Sequence, residues 1–201
     1  MKDTYKTVLQ PTDAILYKDK KSKFYGYVFP IYTVEDVKPL IETLKKRHHT
    51  ANHVCYAWQL GIDTTNYRTN DDGEPNNSAG MPIYGQIQAF ELTNILVAVV
   101  RIFGGTKLGV GGLIKAYKTT AQLALEASSN IEKRIECNFT IKFDYPKMDI
   151  VMRIIKQYHA TIISQNLGIN CKLGITIRRS ESDALQKRIE ELHKVSIIKL
   201  N

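Results

Sequence analysis

The stretch ILVAVVRIFGGTKLGVGGLIKAY, residues 95 to 117, decides the fold of this chain. It opens with six uninterrupted apolar residues, Ile95 to Val100, the pattern of a central strand buried on both faces. Five glycines then fall within nine positions, from Gly104 to Gly112. Beyond them Leu113, Tyr117, Ala121, Ala124 and Leu125 recur at helical spacing and predict a long helix packed on the sheet. Strand, glycine-rich turn and helix together form the layout of a phosphate cradle, because free amides at a helix start favour an anion. Arg101, Lys107, Gly109, Gly111, Gly112 and Lys115 are the anion-binding candidates. Neither GxxxxGK[ST] nor GxGxxG is met, so tight turns and close helix packing are the competing explanation for the glycines.

Working outward, RTNDDGEPNNSAGMP (residues 68 to 82) precedes this strand and gathers Asp71, Asp72 and Glu74 around a turn. Three acids on a short loop can hold a divalent cation or do acid–base work. They can equally cap a helix starting at Ser78 and pair with Arg68. The acidic turn and the glycine stretch are expected to line one concave face, with Arg101 and Lys107 offsetting the carboxylates. His53 shares the face of a strand, Val54–Leu60, with Cys55. Lys45, Lys46 and Arg47 close a helical pattern running from Thr33, in which Pro39 marks either a kink or the true start. These three cations complement the helix dipole and form a candidate nucleic-acid patch.

The C-terminal third reads differently. Phe139, Ile141 and Phe143 alternate as a strand, and Asp144-Tyr-Pro146 signals a helix start. Met148, Val151, Met152 and Ile155 continue that helix, and a strand follows near Ala160–Ser164. After a turn at Asn166–Gly168, Cys171, Leu173, Ile175 and Ile177 mark another strand. Ser180 and Asp183 then cap a helix with the stripe Leu185, Ile189 and Leu192. Val195–Leu200 closes the order βαββαβ, the ferredoxin-like split unit. Two domains are expected, residues 1–134 and 138–201, with the junction in the polar stretch 132–138.

Composition bounds the function. A 43% hydrophobic content supports a packed core. Three cysteines without a CxxC pair argue against a disulfide framework or a cysteine zinc site. No apolar run approaches the roughly 20 residues of a membrane span, and no apolar signal segment opens the chain, so cytoplasm is the expected location. Net charge is +8: 17 basic against 14 acidic residues up to Asn138, and 11 against 6 beyond it. That balance favours polyanionic partners such as RNA or the ribosome.

The segments Lys21–Phe24, Ala51–Cys55, Asp71–Pro75, Ala79–Pro82, Arg101–Gly109 and Gly111–Tyr117 together resemble the YigZ/IMPACT family, in order and over most of residues 20–130. Asn77-Ser78 stands where Gly-Thr is usual, Ile102 where Tyr is usual, and Lys115 where Arg is common, which keeps the charge and loses the bidentate fork. The resemblance implies an α+β protein of two domains. The first would be an α/β sandwich like the second domain of the fifth small-subunit ribosomal protein. The second would be ferredoxin-like, similar to a C-terminal domain of elongation factor G. It also implies a link to translation, since eukaryotic relatives regulate initiation through a protein partner. The leading expectation is a non-catalytic nucleic-acid- or ribosome-associated protein that regulates translation. An enzyme acting on a phosphate-bearing substrate with a divalent cation, and a protein-interaction module, are the alternatives.

Overall fold

A computed structural model describes residues 3–200. In chain order its elements are β1 (Thr4–Val8), β2 (Ile15–Asp19), β3 (Ser22–Pro30), α1 (Val37–Arg47), β4 (His53–Leu60), β5 (Asn66–Asn70), α2 (Gly80–Ala89), β6 (Ile95–Ile102), α3 (Gly109–Glu126), β7 (Asn130–Arg134), β8 (Glu136–Asp144), α4 (Met148–Gln157), β9 (Thr161–Asn166), β10 (Asn170–Arg178), α5 (Arg179–Glu190) and β11 (Val195–Leu200). The fold is mixed α+β, and contacts divide it into two compact units. One comprises residues 5–133; the other comprises residues 134–200 with Asp3 and Thr4.

In the first unit β6 is the middle of a five-stranded sheet, order β2-β3-β6-β4-β5. Every pairing in it is antiparallel. The apolar run Ile95–Val100 of β6 demands cover on both faces, and both are covered. Cys55, Ala57, Val97 and Val99 pack with buried residues of α2 and α3. Val54, Trp58, Leu96, Ala98 and Val100 pack with Val37, Ile41 and Leu44 of α1. The helix α3 lies so close to β3 that a Cβ on Gly26 would stand 2.9 Å from Ala124 Cβ.

Helix α1 starts at Val37 with Pro39 in its first turn, where a missing amide costs nothing. Val34 therefore lies before the helix and is exposed, against the expected stripe. The side chain of Asp36 accepts from the Tyr32 and Thr33 amides and fixes the entry loop.

The second unit has the element order βαββαβ in one antiparallel sheet, order β11-β8-β10-β9. Phe139, Ile141, Phe143, Leu173 and Ile175 form its core with Val151, Ile155, Leu185 and Ile189. Two local readings are corrected. Met152 is exposed, and Ile154 takes its place in the core. Ser180 does not cap α5, because its amide and hydroxyl both donate to the Asp3 carboxylate, at 3.0 and 3.1 Å. Strands β7 and β8 run through residues 132–138 with Ile135, which is buried, alone between them.

Candidate functional site

At the end of β6 the first unit holds a cleft of about 450 Å³. Asn52, His53, Glu74, Arg101, Phe103 and Lys107 line it, together with Pro75 and the start of α3 at Leu108, Gly109, Val110 and Leu113. Strand β6 delivers Arg101 and the glycine turn delivers Lys107. The antiparallel register sets His53 directly opposite Arg101.

Two glycines explain the turn. A Cβ on Gly104 would lie 2.0 Å from the Lys21 carbonyl carbon, so the backbones touch there and no other residue fits. Gly109 has φ +73°, a left-handed conformation, at the point where the chain enters α3. Gly111 is different, since a Cβ there meets nothing within 4 Å.

Buried inside the cleft wall is a polar knot. Arg101 Nη1 lies 2.6 Å from Glu74 Oε1, with both side chains more than nine-tenths buried. The Tyr117 hydroxyl donates to the same oxygen at 2.8 Å. His53 Nδ1 is 2.7 Å from the Asp72 carbonyl, which can only accept, so that nitrogen carries the proton. Its Nε2 is left 4.0 Å from Glu74 Oε1. Cys55 Sγ donates to the Asp71 carbonyl at 3.0 Å and lies 3.3 Å from the Tyr117 hydroxyl. Burial pushes the Cys55 thiol well above its ordinary value, and burial does the same to Tyr117, with Cys55 and Glu74 adding to the effect. Cys55 is fully buried, an environment that disfavours its thiolate.

The three acids do not converge. Asp71 accepts from the Asn77, Ala79 and Gly80 amides at 2.9, 3.0 and 2.8 Å and thereby caps α2. Asp72 accepts from the Val54 amide at 2.7 Å and from Lys45 at 3.0 Å. Glu74 alone faces the cleft. Among the described residues no group of three or more His, Cys, Asp or Glu is placed to hold a metal ion. The carboxylates are committed to backbone amides, a buried arginine and a lysine.

The other candidates fall in different places. Gly111, Gly112 and Lys115 lie on α3 but do not line the cleft. Ser78 donates its hydroxyl to the Pro75 carbonyl rather than capping α2. Arg68 sits opposite Trp58 on β5 and lines a separate groove of about 290 Å³ with Lys38 and Lys45. Lys45, Lys46 and Arg47 form the last turn of α1, where Arg47 stacks over Tyr27. Sequence reasoning missed Asn52, Phe103 and the hydroxyl of Tyr117. Asn52 Oδ1 accepts the Phe103 amide at 3.0 Å and so holds that ring at the rim.

No side chain caps α3, its first turn holds no acid, and Lys107 has no ion-pair partner among the described residues. Arg101 Nε, buried, has no hydrogen-bond partner in the protein. The same region carries the family signature: the sequence pattern of the Impact N-terminal domain matches residues 20–125.

The chain belongs to the IMPACT family. An IMPACT family member of Haemophilus influenzae is 31% identical over 187 residues, covering 91% of each chain. The Escherichia coli IMPACT family member YigZ is 32% identical over 180 residues, covering 89% of this chain and 88% of its own. A crystal structure described only as a hypothetical protein superimposes with TM-score 0.74 over 100% of this chain and 99% of that one, at 24% identity. At that identity the likeness shows a shared fold and nothing about activity.

Proposed function

We propose that this IMPACT family member is a non-catalytic, RNA- or ribosome-associated protein that acts on translation. One observation carries the reading: the cleft joins an uncapped helix start with Lys107, and Arg101 stands in its wall. Phosphate is the anion that such donors suit. The net charge of +8 supplies the long-range attraction to RNA. The groups that would drive catalysis are committed elsewhere: Cys55 is held as a thiol, and Asp71 and Asp72 cap and brace the turn. The family resemblance supplies the link to translation, together with a protein partner from that machinery.

The finer fold assignment belongs to the same proposal. The antiparallel sheet with helices on both faces supports the ribosomal-protein-type sandwich for residues 1–134. The strand order β11-β8-β10-β9 supports a ferredoxin-like domain over residues 138–201. Residues 1, 2 and 201 lie outside the described residues.

The test is fluorescence anisotropy with an unstructured single-stranded RNA at low and raised salt, followed by electrophoresis of the recovered RNA. The expected result is binding that weakens steeply with salt, is reduced by Lys107→Glu, and returns the RNA intact. Absence of binding at low ionic strength would refute the proposal. Shortened RNA would select the second reading, an enzyme on a phosphate-bearing substrate. The observation favouring that reading is His53, whose ring is oriented by Asp72 with Nε2 in the cleft wall.

A further inference from the structure

The opening turns of α3 carry more exposed apolar surface than folding requires. Phe103 is 42% exposed, Val110 53% and Ile114 39%. Val110 and Ile114 stand four residues apart and adjoin on one side of the helix. Phe103 and Val110 also line the cleft, with Leu108 and Leu113, so exposed residues and cleft lining form one apolar surface. Single exposed apolar residues are ordinary, whereas a contiguous group beside a cleft marks an interaction site. Phe103 is also held in place while exposed. Its amide donates to Asn52 Oδ1 at 3.0 Å, and the Arg101 guanidinium lies 5.5 Å from its ring. An anchor ordered beforehand loses little freedom on binding.

Gly111 is a second sign. It lies between Val110 and Ile114 on the exposed side of α3, its φ is not left-handed, and a Cβ there meets nothing. Neither backbone strain nor packing within the chain calls for glycine at this position, and glycine weakens a helix relative to alanine. What it permits is the close approach of another backbone.

Charge defines the partner. From Thr106 to Leu125 the chain carries Lys107, Lys115 and Lys118 and no acid. All three are exposed, and none has an ion-pair partner among the described residues. The one carboxylate in the cleft lining, Glu74, is engaged by Arg101 and Tyr117. An apolar strip bordered by unpaired cations complements a surface with apolar anchors inside an acidic border. RNA meets half of that demand. Its phosphates answer the lysines, but it has no aliphatic side chains to fill the cleft and cover Val110 and Ile114.

We infer that the face formed by Phe103, Val110, Gly111 and Ile114 docks an acidic amphipathic helix of a protein partner, with its apolar side chains in the cleft. Two apolar residues one helical turn apart, with a glycine between them, make the ridge and notch against which a second helix packs. The inference gives the chemistry of the partner in the translation-linked reading and rests on that reading only for where the partner belongs.

The test begins with selection against the full-length protein from a phage-displayed library of random peptides, each roughly 15 residues long so that a helix can hold. Enriched sequences should be acidic, with apolar residues at i, i+3, i+4 and i+7. Fluorescence anisotropy then compares the best peptide with the unstructured single-stranded RNA on the parent and two variants. Ile114→Lys removes an anchor and Gly111→Lys blocks close approach, while each adds a cation. Peptide affinity should fall about tenfold or more in both, and RNA affinity should hold or rise. Lysine is a good helix former, so melting temperatures should not fall. Enrichment of basic or patternless sequences, no enrichment, or a best peptide indifferent to both variants would overturn the inference. RNA binding that survives such a result leaves the RNA reading standing. Peptide binding without RNA binding keeps this face and removes that reading. Loss of RNA binding together with peptide binding in both variants assigns the face to RNA and overturns the inference.

Discussion

Arg101 Nη1 and Glu74 Oε1 meet at 2.6 Å inside the cleft wall, each side chain almost wholly out of water. This pair joins β6 to the acidic turn and gives the cleft its floor. Removing one partner leaves the other charge buried alone. Glu74→Gln should therefore cost about 3–5 kcal/mol of folding stability. Tyr117→Phe, which removes only the second donor to that oxygen, should cost about 0.5–1.5 kcal/mol. Urea denaturation checks both; a Glu74→Gln loss near zero would mean the pair is not formed in solution.

Asp71 makes a different contribution, as the cap of α2. With Asp71→Ala three amides lose their acceptor, and stability should fall by about 1–2 kcal/mol. Asp71→Asn should cost less, since its remaining oxygen can still face the Ala79 and Gly80 amides. Titration with Mg²⁺ should look the same in both variants as in the parent, because the carboxylate serves the helix.

The glycines divide by environment. Gly111→Ala places its Cβ in open space on a helix and should stabilise by up to about 1 kcal/mol. Gly104→Ala would drive a methyl into the Lys21–Ser22 backbone and should prevent native packing of that edge. Melting temperatures of the two variants should move in opposite directions.

His48 provides a pH signature. Its Nε2 lies 2.6 Å from the Tyr27 hydroxyl, and burial, aided by the charge of Arg47, holds its pKa below the ordinary 6.5. The unfolded chain then takes up the proton first as pH falls. The stability this residue contributes is present above about pH 6.5 and is lost as pH falls from there to the lower folded value. Denaturation midpoints between pH 7.5 and 5 should show a slope that His48→Gln flattens.

Much of the fold was legible in the sequence because periodicity is a local property. Ile95–Val100 announced a buried strand, and Leu113, Tyr117, Ala121, Ala124 and Leu125 announced the helix that covers it. Edge elements were not legible. β5 (NYRTN) is mostly polar, and β7 (NIEKR) alternates weakly enough to pass for a linker, since exposed edges need no apolar face. The site was half legible. Charges at Arg101, Glu74 and Lys107 pointed to it, but the partners of each acid were set by backbone amides brought from distant residues. Asp71 reaches forward to Gly80 and Asp72 reaches back to Val54. Such pairings leave no mark on spacing. Tyr117 was visible only as an apolar position, because its ring fills the core while its hydroxyl serves Glu74.

Cys55 tests the non-catalytic reading. Its thiol is buried and pushed well above the ordinary range, so the folded protein should resist alkylation by iodoacetamide at pH 8. Full reaction should appear only on unfolding. Rapid native labelling at Cys55, located by mass spectrometry, would show an accessible thiolate.

The most direct measurement is the affinity of the full-length protein for the unstructured single-stranded RNA, taken side by side with Val110→Glu, which sets a carboxylate at the start of α3, at one low salt concentration. The parent should bind, and the variant should lose about tenfold or more while melting at the same temperature or higher. Equal affinity of the two proteins would contradict the assignment of the α3 start as the phosphate-binding element.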